Sequence, residues 1–159
     1  MDPLSIAVGC VSLVGTIGQL SGQISSFVRD IRSARTELDA ISRELLSLKT
    51  LLELLQEDAD DKSDASLPDT LKKQITGIIV NCNTVATEIQ KVLNSHAGSK
   101  LDKAAKWAFN GREDVNKLRL SLEAHKSALE IALEMVALSV VLCSPVRLGI
   151  SLISKQNRD

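Results

Sequence analysis

Along most of this 159-residue chain, apolar side chains return at alternating steps of four and three, the spacing that lines one face of an α-helix. The cleanest row is Ala34, Leu38, Ile41, Leu45, Leu48, Leu52 and Leu55. A second runs through Leu71, Ile75, Ile78, Cys82, Val85, Ile89 and Val92, and a third through Val115, Leu118, Leu122, His125, Leu129, Ala132 and Val136. Each is a coiled-coil-like seam, and in the third His125 stands where a leucine is expected. Leu46, Leu51 and Leu54 widen the first seam, which predicts a helix touching two neighbours.

The stretches between the seams carry the punctuation of helix ends. Glu57 to Ser66, with Asp58, Asp60, Asp61 and Asp64, reads as a solvated acidic loop, and Ser66, Pro68 and Asp69 open the next helix. His96, Ala97, Gly98 and Ser99 close it. A short amphipathic piece from Leu101 to Phe109 follows, and Asn110-Gly111 is expected to supply positive φ for a turn into the last helix. That helix ends at Ser144-Pro145, because proline cannot continue it. Beyond, Val146, Leu148, Ile150 and Leu152 alternate with Arg147, Gly149 and Ser151, a pattern that either a strand or a frayed linker helix produces. The seams together predict an all-α bundle of four to five helices over residues 1–142, with 143–159 as a tail or linker.

The N-terminus departs from this pattern. From Pro3 to Val28 there are 26 residues without a charge, with Asp2 placed as N-cap and Pro3 at the first helical position. One stripe, Leu4, Val8, Val11, Gly15, Gly18, Gly22 and Ser25, is bulky at its start and nearly bare afterwards. The opposite face, Ile6, Leu13, Ile17, Leu20 and Ile24, is apolar as well. A helix apolar on both faces belongs in a protein core or in a bilayer, and about 20 helical residues suffice to cross one. As a core helix it would be the central strut of the bundle. Four of the eight glycines lie between residues 9 and 22, although glycine costs about 1 kcal/mol relative to alanine inside a helix. Gly18-x-x-x-Gly22 is the small-residue spacing at which helices approach closely in lipid.

Composition narrows the function classes. With 19 Lys+Arg against 20 Asp+Glu, the chain is no polycation. Its aromatic fraction is 2% (Phe27, Trp107 and Phe109), which leaves no stacking platform for single-stranded nucleic acid. No nucleic-acid partner is expected. Cys10, Cys82 and Cys143 are far apart, with no CxxC pair, and read as reduced thiols rather than a zinc or disulfide framework. Cys82 falls on a seam and reads as a small hydrophobe. No Walker A, GxSxG or HExxH pattern occurs, so neither an enzyme nor a cofactor is expected. On its seam, His125 reads first as a hydrogen-bonded core residue and second as a pH-sensitive packing switch. Between Lys91 and Lys126, eight basic residues face four acidic ones, which suits either a solvated face or anionic headgroups.

Three blocks carry a resemblance: the opening MDPLSIAVGCVSLVG, then SARTELDAISRELLSLKTLLELL, and finally KWAFNGREDVNKLRLSLEAHKSALEIAL. Together they resemble the N-terminal effector domain of fungal STAND, or NLR-like, receptors, related to the HeLo and HeLo-like (HELL) cell-death domains. The resemblance covers about residues 2 to 136. It implies a helical bundle, cytoplasmic at rest, that on oligomerisation moves to the plasma membrane and permeabilises it through its N-terminal helix. It places the membrane-active segment at Leu4, Ile6, Val8, Gly9, Val11, Leu13, Val14, Gly15, Ile17, Gly18, Leu20 and Gly22, and makes Trp107, Phe109 and, with the seam reading, His125 structural anchors. The implied partners are membrane lipids, further copies of the chain, and a nucleotide-binding or amyloid-signalling region in cis or in trans. The alternative is a helical adaptor that oligomerises without touching lipid.

Overall fold

Four long helices and one short one form an all-α bundle in the computed structural model, which describes residues 3–61, 67–96 and 98–143. α1 (Pro3–Asp30) turns through a 3-10 segment (Arg32–Ala34) into α2 (Arg35–Asp61). α3 (Asp69–Ser95) and the short α4 (Lys100–Lys106) follow, and a π turn (Trp107–Gly111) leads into α5 (Arg112–Cys143). α1 packs on α2 and α3, and α5 packs on the same two helices, so α1 and α5 sit at opposite corners of a square. α1 and α3 run parallel: Gly9 lies against Ile79, and the Thr16 hydroxyl reaches Asn83 Oδ1 at 3.1 Å. Glu37 and Glu44 of α2 pair in the same order with Arg112 and Lys126 of α5, so these two are parallel as well.

The seam of α2 is buried as its spacing predicts: Ala34, Leu38, Ile41, Leu45, Leu48 and Leu52 are fully inaccessible and Leu55 nearly so. α2 touches two neighbours, α1 and α5; of the leucines expected to widen its seam, Leu51 packs half-buried against the core, while Leu46 and Leu54 face solvent. In α3 the buried residues also include Ile79, which lies against Gly9 of α1, and Ala86 and Leu93 at sevenfold spacing from it, while Ile78 and Val92 are only half-buried. In α5 the fully enclosed positions are Val115, Leu122 and Leu129, spaced by seven, with Leu118 and His125 half-buried between them.

Two boundary expectations change. Glu57 to Asp61 are helical and extend α2, where an acidic loop was expected. The sequence favours this because Gln56, Glu57 and Ala59 are strong helix formers that carry the α2 helix onward. Asn110-Gly111 makes no positive-φ turn: Gly98, at φ 138°, is the sole residue of that kind among those described. The chain instead runs on helically from Lys100 to Cys143 and widens by one π turn. Ser99 caps the start of this run by accepting a hydrogen bond from the Asp102 amide at 3.3 Å. Asp2, Ser66, the Ser144-Pro145 stop and the alternating tail from Val146 to Leu152 lie outside the described residues.

Candidate functional site

α1 buries one face and leaves the other open. Ile6, Cys10, Leu13, Ile17, Leu20, Ile24, Phe27 and Ile31 keep an unbroken four-three spacing, and all are buried. The buried face is therefore the one that carries Ile6, Leu13, Ile17, Leu20 and Ile24. The helix is not a central strut: it sits at a corner, and the stripe Val8, Val11, Gly15, Gly18, Gly22 and Ser25 faces outward. Val8 is 60% and Val11 55% exposed. Of the twelve residues expected to form the membrane-active segment, Ile6, Leu13, Ile17 and Leu20 thus hold the bundle together, while Val8, Val11, Gly15, Gly18 and Gly22 lie on its surface. Val14 and Gly9 are intermediate, and Leu4 lies in the first turn, outside the described side chains.

The glycines divide by what surrounds them. A Cβ at Gly9 would sit 3.3 Å from Ile79 Cγ2, so this glycine sets the close approach of α1 to α3. At Gly15, Gly18 and Gly22 a Cβ would meet no atom within 4 Å. Packing in the folded bundle thus gives no reason for three glycines that weaken the helix they occupy. The helix is also long and apolar enough to cross a bilayer, with 28% of its most apolar window buried. Its polar hold on the bundle is slight: Thr16 to Asn83 across to α3, and Asp30 Oδ2 to Lys103 Nζ at 2.9 Å. The Lys103 ammonium, by hydrogen bond and by charge, holds the Asp30 carboxyl below the usual carboxylate range.

A second cluster lies where α1 ends. Phe27, His96 and Trp107 meet with ring centroids 5.2 to 6.0 Å apart, in tilted and edge-on geometry. Trp107, the first residue of the π turn, is 2% exposed, and its Nε1 has no acceptor among the described residues. Phe109, two residues on, points the other way and is 85% exposed, so it anchors nothing in the fold. His125 is half-buried on α5, and the enclosed histidine is His96, whose Nδ1 lies 2.6 Å from the Val92 carbonyl. Gly111 completes the cluster. A Cβ there would stand 2.7 Å from both His96 Nε2 and Trp107 Cε3, so this glycine is required for space, not for its backbone angle.

Most of the basic run between Lys91 and Lys126 is neutralised within the fold. Lys103 pairs with Asp30, Arg112 with Glu37, Lys117 with Glu113, Arg119 with Glu123 and Lys126 with Glu44. The hydrogen bond that Lys126 Nζ donates to the Glu44 carboxylate raises the Lys126 pKa, and this pair, more enclosed than the others, ties α5 to α2. Lys91, Lys100 and Lys106 make no salt bridge among the described residues. Burial pushes the thiols of Cys10 and Cys82 up to about 11, which keeps both protonated and inert near neutrality.

Sequence reasoning missed the outward row Leu101, Ala105 and Phe109, and the enclosure of His96. The four-residue spacing of the row is visible in the sequence, but its orientation depends on the π turn. No curated protein and no solved structure matches this chain. A family model does match, over residues 1–148, that of the pigment biosynthesis cluster protein PigL N-terminal region. With nearly the whole chain covered, and helices as the only regular elements among the described residues, the protein belongs to this fungal family of HeLo-like helical domains.

Proposed function

We propose that this domain is a regulated membrane-permeabilising effector, of the kind that fungal STAND receptors carry for programmed cell death and heterokaryon incompatibility. The observation that carries the reading is the outward stripe of α1, where Gly15, Gly18 and Gly22 contact nothing in the bundle, on a helix long enough to span a bilayer. Small residues at this spacing let membrane helices pack backbone to backbone, so the stripe has a use in an inserted oligomer that it lacks in the soluble bundle. The protein rests in the cytoplasm, and oligomerisation, driven by a nucleotide-binding or amyloid-signalling region in cis or in trans, delivers it to the plasma membrane. No catalytic step is assigned to it.

Energetics dictate why the helix needs a trigger. Ile6, Leu13, Ile17, Leu20, Ile24 and Phe27 are buried, and at roughly 1.5 to 3 kcal/mol per side chain their exposure to water would cost on the order of 10 kcal/mol. That is close to the whole stability of an ordinary domain, about 5 to 15 kcal/mol. α1 therefore stays docked unless lipid or neighbouring copies receive the same face. Forced oligomerisation of the purified domain in the presence of dye-loaded anionic liposomes tests the reading. Leakage is expected for the parent and lost for Gly18→Leu with Gly22→Leu, whose side chains have open space in the folded bundle and leave it folded. Undiminished signalling by an assembly that releases no dye would favour the adaptor alternative.

A further inference from the structure

The corner formed by α4 and the π turn presents a second surface unlike the rest of the molecule. Leu101, Ala105 and Phe109 stand at four-residue intervals and all face solvent, with Leu101 84% and Phe109 85% exposed. Isolated apolar residues on a surface are ordinary, but these form one row, and it holds one of only three aromatic residues in the chain. Burial of Trp107 and the packing of Ala104 on the core fix the inward side of this segment, which turns the row outward.

Lys100 and Lys106 flank the row with no salt bridge among the described residues; the acids nearby are Asp102, which accepts a hydrogen bond from the Ser99 hydroxyl, and Asp114, in the hollow that Ala105, Lys106 and Phe109 share. Next to α4, where Lys103 reaches Asp30, Arg29, Arg32 and Arg35 line a common hollow at the end of α1. An anionic surface is drawn to this end of the molecule. Three apolar side chains in a row are too few for a stable protein interface, which needs about 1,000 Å² or more. An aromatic wedge flanked by lysines is enough for reversible seating at a bilayer surface.

We propose that the outward face of α4 and the π turn, Leu101, Ala105 and Phe109 flanked by Lys100 and Lys106, is a docking surface for an anionic lipid bilayer. It seats the folded bundle before α1 is released, and sets the C-terminal end of α1 toward the membrane. The inference rests on the membrane reading above, yet it concerns a different surface in the resting fold, so the two fail separately.

The test is sedimentation of the full chain with phosphatidylcholine vesicles, with and without phosphatidylserine, beside dye release from the same vesicles on forced oligomerisation. Binding is expected only to the anionic vesicles and declines with added salt. Leu101→Ser with Phe109→Ser weakens it about tenfold or more, and Lys100→Glu with Lys106→Glu does so too, at roughly fivefold per lysine. Both variants melt with the parent because the substituted side chains are exposed. Equal vesicle binding by the parent and both variants, or no anionic binding by the folded parent, overturns the docking surface. Anionic binding that follows the two variants as expected, with no dye release from any protein, supports the docking surface and overturns the permeabilisation reading alone.

Discussion

Replacing Gly15, Gly18 and Gly22 together by alanine should make this domain more stable. Each lies on the solvent side of α1, and the added methyl group meets no atom within 4 Å. The substitution therefore makes and breaks no contact in the bundle. What remains is the intrinsic preference of the helix, about 1 kcal/mol per glycine replaced, which acts largely by restricting the unfolded chain. Three independent exposed sites add to about 2 to 3 kcal/mol. For a domain of this size each kcal/mol raises Tm by roughly 2 to 4 °C, so the triple variant should melt about 5 to 10 °C above the parent by circular dichroism at 222 nm. Urea unfolding should give a higher midpoint with an unchanged slope. A triple variant no more stable than the parent would refute the reasoning, because it would mean that the outward stripe is already packed against something in the resting protein.

Other substitutions carry opposite signs for equally local reasons. Gly111→Ala, which drives a methyl group to 2.7 Å from His96 Nε2 and Trp107 Cε3, should cost about 1 to 3 kcal/mol by chemical denaturation, and unaltered stability would show that the cluster is slack. Leu48→Ala removes a fully buried seam side chain and should cost about 2 to 5 kcal/mol; a variant melting with the parent would exclude the packing of α2 given above. In a Cys143→Ser background neither Cys10 nor Cys82 should react with a thiol reagent at pH 8 until the protein unfolds. Because burial raises both thiols from 9.0 to about 11, their protonated form favours the fold. That contribution is complete below pH 9 and lost as pH rises toward 11. Fast labelling in the native state would contradict it.

The fold was legible because seams of Leu, Ile, Val and Ala carry their own period. In α2 polar residues occupy most positions outside the seam, so the buried row is the row the spacing picks out, from Ala34 to Leu55. α1 offers no such contrast. Both of its faces are apolar, and hydrophobicity alone cannot distinguish the stripe through Leu4 and Val8 from the one through Ile6 and Cys10; only packing against α2 and α3 chooses the second. The roles of Trp107 and Phe109 part for a geometric reason. They are two residues apart on a helical segment, so enclosing one exposes the other, and Gly111, four residues beyond Trp107, supplies the space beside it. His96 closes α3 as the helix stop implies, and His125 stands on the α5 seam. The chain direction after α3 folds the first under Phe27 and Trp107, while the sevenfold spacing of Val115, Leu122 and Leu129 leaves the second at the edge of the core.

The central claim is that α1 leaves the bundle for the membrane, and a reversible lock on that helix tests it most directly. Thr16 Oγ1 and Asn83 Oδ1 lie 3.1 Å apart across α1 and α3, so in a Cys143→Ser background Thr16→Cys with Asn83→Cys can be bridged by a short bifunctional thiol reagent that tethers the two helices through reducible disulfides. With the tether in place, the oligomerised protein should release no dye from anionic liposomes, and reduction should restore release to the level of the untethered parent. Equal release before and after reduction, from protein shown to be fully cross-linked, would contradict the account.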